Sequence, residues 1–367
     1  MRYVDEFRDP AAAARLLEAL AEEVESPWTV MEICGGQTHT IARYALDDLI
    51  PDALTLVHGP GCPVCVTPLE ELERARRLAL EPGVVLHTFG DMLRVPGMHG
   101  DLLDARARGG DVRIVLSPLD AVQGARDEPE RTHVFFGVGF ETTAPATAMA
   151  IELARRLDLS NFTVLASHVR VPPAIERILS SPEQRVRGFL AAGHVCTVEG
   201  TTEYPPLAER FGVPIVVTGF EPVDILYGLL ECVRQLESGR AEVVNAYRRA
   251  VRPEGNAAAR DQVDRVFEIV DRPWRGLGVI ERGGLAIRAE LWRFDAGRRL
   301  PLELGPIEEP KECQAGKILS GLLAPPECPE FDTRCTPERP LGAPMVSSEG
   351  ACAAYHRFRR FERHEAK

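Results

Sequence analysis

Between about residue 28 and residue 240 the chain alternates short apolar, β-branched runs with longer stretches whose apolar residues recur at helical spacing. The runs are 29–33, 54–58, 84–89, 112–116, 133–140, 162–167, 194–198 and 214–218, and the helical stretches include 69–80, 144–157, 173–179 and 223–236. Such a pattern predicts parallel sheets covered on both faces, because parallel strands need crossovers and the crossover helices pack on the sheet. The expected fold class is α/β, with two parallel-sheet domains facing a cleft. After about residue 240 the pattern changes. The text reads as helical over 241–270 and as an antiparallel hairpin over 276–294, around Gly283 and Gly284. From Pro301 onward prolines recur too densely for long helices or interior strands. The division read from this is an α/β domain over 25–130, a second over 131–240, and a small helical and irregular domain made from 1–24 with 241–367.

With 43 Lys and Arg against 55 Asp and Glu, the 367-residue chain carries a net charge of −12. That balance argues against a nucleic-acid surface or an anionic membrane as partner, since both call for a basic stripe. The basic stretch 357–363 is short and reads as a solvated helix face. No apolar run approaches the ~18 residues of a membrane span. The cytoplasm is the expected location, and in that reducing compartment the nine cysteines suit metal or redox chemistry better than structural disulfides.

Four of them, Cys313, Cys328, Cys335 and Cys352, fall in the proline-rich segment, which has little regular structure to stabilise it. A bound metal would supply that stability, and four thiols suit either structural zinc or an iron–sulfur cluster. Paired zinc knuckles are missing. A second set lies where strands run into helices. Cys34 ends the first strand, ahead of Gly35, Gly36 and a candidate helix cap, Thr38. Cys62 and Cys65 form a C-x-x-C in Gly59-Pro-Gly-Cys-Pro-Val-Cys65, followed by Thr67-Pro-Leu-Glu70, which reads as a capping box. A helix N-terminus there predicts thiolate over thiol. The carboxyl ends of parallel strands are where α/β proteins place ligands. Cys34, Cys62, Cys65, Asp91, Glu141, His168 and Glu221 all follow predicted strands. Glu141 reads either as a helix cap or as a cleft carboxylate. Cys196 and Cys232 read as core.

Cys34-Gly-Gly-Gln-Thr-His39, Gly59-Pro-Gly-Cys-Pro-Val-Cys65, Thr88-Phe-Gly-Asp-Met-Leu-Arg-Val-Pro-Gly97, Gly139-Phe-Glu-Thr-Thr-Ala-Pro145, the Ser-His-x-x-Val-Pro-Pro stretch at 167–173 and Met345-Val-Ser-Ser-Glu-Gly-Ala-Cys-Ala-Ala-Tyr355 together resemble the HypD-type [NiFe]-hydrogenase maturation factors, in order over nearly the whole chain. The resemblance implies a scaffold on which the hydrogenase iron acquires two cyanides and one carbon monoxide. It also implies three domains, a [4Fe-4S] cluster in the last, and as partners a small HypC-type chaperone and a HypE-type cyanide donor. Carried over by position, Cys34 binds a mononuclear Fe(II). Cys62 and Cys65 are further iron ligands or a redox pair, and Cys313, Cys328, Cys335 and Cys352 hold the cluster. His168 and Glu141 complete the expected reaction site. Two positions depart from the pattern: relatives commonly carry cysteine where this chain has Ala315 and Pro344. The competing readings are a free-standing iron–sulfur thiol–disulfide oxidoreductase and a zinc-stabilised interaction module.

Overall fold

The computed structural model describes residues 5–358; the outer part of the basic tail, 359–367, and residues 1–4 lie outside them. The described residues form an α/β protein with strands β1 (Trp28–Glu32), β2 (Leu54–His58), β3 (Val84–Thr88), β4 (Asp111–Ile114), β5 (Thr132–Gly139), β6 (Phe162–Val169), β7 (Gly188–Ala192), β8 (Ile215–Thr218), β9 (Val243–Asn245), β10 (Phe267–Trp274) and β11 (Gly278–Ile287). One sheet is five-stranded in the order β2-β1-β7-β8-β9, all parallel. The other is six-stranded in the order β10-β11-β6-β5-β3-β4. It is parallel from β6 to β4, with the β10–β11 hairpin added antiparallel along β6.

The sheets cut across the boundary expected at residue 130. The strands β1 and β2 pair with β7, β8 and β9, while β3 and β4 pair with β5 and β6. The chain leaves the first sheet after β2, builds the core of the second, and returns. Local alternation is the same whichever strands pair, so the pattern carries no record of this exchange. The hairpin also joins the second sheet rather than the C-terminal segment.

Three local readings change. Residues 194–198, expected as a strand, belong to the helix Gly193–Glu199, and the strand is the preceding small-residue run β7. The β-branched text there is overridden by its place after a strand end. The stretch 241–270 is β9, a helix over Ala257–Val266 and the start of β10. The hairpin turn lies at 275–277, with Gly276 (φ +78°) inside it and Gly278 (φ +75°) directly after it. Gly284 sits inside β11, where a Cβ would come within 2.5 Å of the Arg272 side chain. The helices Leu69–Leu80, Ala144–Arg156, Val171–Leu179 and Pro222–Glu237 match their predicted spans closely.

A central core between the sheets joins Met31 of β1, Ile33 just after it, Phe140, Ile175, Phe189, Trp274, Cys62 and Cys65. The helices Pro10–Glu23 and Pro222–Glu237 cover the outer face of the first sheet. From 301 to 358 the chain holds only short helices, Ala315–Leu319 and Ala351–Arg357 the longest, and it packs Phe331, Cys335, Met345 and Tyr355 against Ala42. Among the described residues no helix is long and apolar enough to cross a membrane.

Candidate functional site

Cys34 takes the N-cap position of the helix Gly35–Tyr44, directly after β1. Thr38, the expected cap, instead donates its hydroxyl to Glu32. Two glycines bring the β2 loop onto this turn. Gly35 N–H donates to the Gly61 carbonyl (2.8 Å) and Gly59 N–H to the Glu32 carbonyl (2.8 Å). A Cβ on Gly61 would stand 2.3 Å from the Cys34 nitrogen, so only glycine lets Cys62 follow so closely on Cys34.

Cys62 is the N-cap of the one-turn helix Pro63–Val66, and Cys65 N–H donates to Cys62 Sγ (3.3 Å). Both cysteines of this turn are buried. The expected Thr67–Glu70 capping box does not form. Thr67 ends the short helix and donates its hydroxyl to the Pro63 carbonyl (2.9 Å), and Pro68 stands at the N-cap of the next helix.

The thiolate character expected at the Cys62/Cys65 turn has no counterpart at Cys34. Burial pushes its thiol up to about 12, and the nearby Glu32 and Glu349 carboxylates add to this, while the amides of Gly36 and Gln37 work the other way. The residue as a whole is half-buried. In the metal-free protein the thiol is therefore protonated, and any metal bound there would have to displace that proton.

The C-terminal segment closes over this turn. A Cβ on Gly35 would lie 2.4 Å from the Glu349 Cβ, Ser347 donates its hydroxyl to Asp91 (2.9 Å), and His39 Nδ1 meets the Ser348 carbonyl oxygen at 3.3 Å. On the other side Phe220, after β8, packs against Gly36, and His194, after β7, stacks on Phe220 with ring centroids 3.8 Å apart. Sequence reasoning missed His194, because it lay inside a run read as strand. Glu32, buried beneath Cys34, was missed because it interrupts an apolar run with no local signal.

His168 is not brought to the three thiols. Its neighbour Val169 enters the central core with Cys62 and Cys65, so the imidazole points to the opposite face of β6. There Nε2 lies 3.0 Å from Thr147 Oγ1 and the ring meets Phe267 edge-on. Burial, with Arg272 nearby, pushes its pKa down to about 3, which makes it a neutral core histidine. Glu141 is also buried, and burial pushes it up to about 8. It accepts from Val171 N–H (2.8 Å) at the start of the helix Val171–Leu179, and its neighbours are Arg170, Cys196 and Tyr204. It is therefore a cap, though of that helix and not of Ala144–Arg156. Cys196 and Cys232 are core, as expected.

Cys313, Cys328, Cys335 and Cys352 line one small apolar pocket. Burial and the other thiols raise the pKa values of Cys313, Cys335 and Cys352. Leu341 N–H donates to Cys335 Sγ (3.3 Å), and a Cβ on Gly342 would lie 2.3 Å from Cys313 Sγ. Four sulfurs around a shared space, with an amide aimed at one and a glycine clearing room beside another, fit a thiolate-held cluster. Ala315 and Pro344, the two departures, line the same pocket. Among the described residues no three His, Cys, Asp or Glu side chains stand ready in metal-holding geometry. The segment 342–352 lines this pocket at Gly342 and Cys352 and reaches the Cys34 turn at Glu349.

A model of the HypD family, described as "Hydrogenase formation hypA family", matches residues 11–359. The chain belongs to the HypD family. It is 48% identical over 369 residues to the hydrogenase maturation factor HypD of Azotobacter vinelandii, covering 98% of this chain and 97% of that one. It is 45% identical to HypD2 of Bradyrhizobium diazoefficiens over 100% and 99% of the two chains, and 43% identical to the Escherichia coli HypD over 99% of each. The likeness spans both sheets and the C-terminal segment, so it covers every HypD-type motif placed above.

Proposed function

We propose that this hydrogenase maturation factor is the scaffold on which a mononuclear Fe(II), its cargo, receives cyanide and carbon monoxide before delivery to a [NiFe]-hydrogenase. The single observation that carries the reading is the meeting of Cys34 with the Cys62/Cys65 turn, through the Gly61 contact, at the carboxyl ends of parallel strands. Strong-field ligands demand a low-spin ferrous ion held by soft donors and kept from water. Cys34 supplies a thiolate once its proton is displaced, and the Pro-Gly loop and the 347–349 segment limit solvent around it.

Cys62 and Cys65 supply the electrons for cyanide release. When the dithiol closes to a disulfide it gives up two electrons and two protons. Those two electrons break the S–C bond of a thiocyanate-type donor, whose sulfur leaves as thiolate while cyanide passes to the iron. Cys313, Cys328, Cys335 and Cys352 would hold a [4Fe-4S] cluster, which when bound supplies one-electron transfer. The partners of this reading are a HypC-type chaperone sharing the iron and a HypE-type cyanide donor, and its location is the cytoplasm.

The test is an infrared spectrum of the anaerobic protein co-produced with those partners. Cyanide and carbonyl stretches are expected in the parent and absent in Cys34→Ala, with cluster content equal in both. Cys62→Ala is expected to keep the cluster and lose cyanide loading. A parent with an intact cluster and bound partners but no such bands would overturn the scaffold reading in favour of a thiol–disulfide oxidoreductase.

A further inference from the structure

Glu32 is fully buried in β1, and a carboxylate there is tolerated only when donors surround it. Three converge on it. Oε2 accepts from the Cys34 backbone N–H (2.9 Å), while Oε1 accepts from the Thr38 hydroxyl and meets His58 Nδ1 at 2.7 Å. The other nitrogen of His58, Nε2, is 3.0 Å from the Tyr355 hydroxyl, which in turn donates to Asp47 Oδ2 (2.8 Å). His58 and Tyr355 are themselves buried, their rings edge-to-face with centroids 5.2 Å apart.

Tyr355 sits one turn beyond Cys352 on the helix Ala351–Arg357. Cys352 lines the four-thiol pocket, so one short helix carries both a wall of that pocket and the last link to the Cys34 turn. A hydrogen bond keeps its strength only over a few tenths of an ångström. A small shift of the helix would break the contact between Tyr355 and His58 and leave a buried imidazole nitrogen unsatisfied.

We propose that Tyr355 and His58 are positioning residues for the iron site: through Glu32 they hold the backbone of Cys34 in place, and through the Cys352 helix they make that hold depend on the order of the four-thiol pocket. The role of Cys34 as iron ligand rests on the scaffold reading above; the linkage itself does not. It gives the molecule a way to present Cys34 in its binding geometry only when the distant pocket is in order. The coupling has a contiguous physical path of named hydrogen bonds, which is the warrant such a claim needs.

The test follows the alkylation of Cys34 by iodoacetamide in the full-length anaerobic protein, read at that cysteine by peptide mass spectrometry. Tyr355→Phe and His58→Gln cut the path at different links. Each is expected to speed Cys34 alkylation about fivefold, the equivalent of about 1 kcal/mol for one hydrogen bond, with cluster absorbance and melting temperature near those of the parent. The double variant should do no more than either single one. Cys328→Ala, which disturbs the pocket from a residue outside the Cys352 helix, should speed alkylation in the parent background and not in Tyr355→Phe. Rates within about twofold of the parent in both single variants, or an equal effect of Cys328→Ala in both backgrounds, overturn the linkage. A parent without cyanide or carbonyl bands would sink the scaffold reading and leave these rates to be judged by themselves.

Discussion

At the scale of single residues, burial decides which of the predicted groups can carry charge. Glu141 shows the consequence most plainly. Its folded-state pKa, raised to about 8 by burial, stands above the ordinary value for a glutamate in the unfolded chain. Its contribution to stability is therefore fully present below the unfolded value and is lost as pH rises towards 8. Relative to the parent, Glu141→Gln should gain stability steadily from about pH 4.5 to pH 8, read as the difference in urea midpoint at each pH. A difference that stays flat over that range would mean the carboxylate is ionised in the folded protein. The same burial argument explains what could be read from the residues alone and what could not. Cysteines near glycine and proline at strand ends are visible in the text, so Cys34, Cys62 and Cys65 were found. Glu32 was hidden among apolar neighbours, and its value comes from His58 and Tyr355, which the fold brings from far along the chain. Its place after a predicted strand made His168 a candidate site residue, but only the alternation of β6 shows its side chain on the face away from the thiols.

At the scale of elements, the site depends on how closely two turns approach. Helices with a clear apolar stripe, such as Leu69–Leu80, were legible to within a residue, because their period is local. The strand at 188–192 was not, since Gly-Phe-Leu-Ala-Ala has too few β-branched residues to stand out beside the run that follows. The contact between the β1 and β2 turns is likewise invisible until the sheet is built, yet it places a strict demand on Gly61. In Gly61→Ala the new methyl would meet backbone atoms of Cys34 and Ile33 at 2.3–2.5 Å, and backbone cannot yield as a flexible side chain would. A loss of about 1–3 kcal/mol is expected, seen as a lower denaturant midpoint, together with weaker iron retention. Gly90→Ala is the matched control. Its Cβ would meet only Ile114 Cγ2, at 3.8 Å, so it should stay within about 0.5 kcal/mol of the parent. Equal effects of the two substitutions would show that the turn-to-turn contact places no special demand on Gly61.

At the scale of the whole molecule, the two sheets and the C-terminal segment hold themselves together by different means. Each sheet buries continuous apolar strands under helices on both faces, and the chain's return to finish the first sheet ties the two to each other. The segment 301–358 has a small apolar cluster of its own and a few short helical turns. Such a segment has little to offset the entropy of its ordering, and a ligand bound by its four cysteines would supply what the core does not. This division predicts a local response to loss of that ligand. Anaerobic chelation that bleaches the protein should leave 28–295 resistant to trypsin and open 301–358, with early cuts after the exposed Lys311, Lys317 and Arg334, because local opening follows the least stable unit. Mapping the first fragments by mass spectrometry reads the result. Cleavage that quickens equally in both parts would mean that the four thiols stabilise the molecule as one cooperative body, and an unchanged pattern would mean that their ligand does not hold the segment at all. Opening confined to 301–358 alone fits a chain in which the Cys34 turn is built on rigid sheets and overlaid by a segment whose order depends on what its cysteines bind.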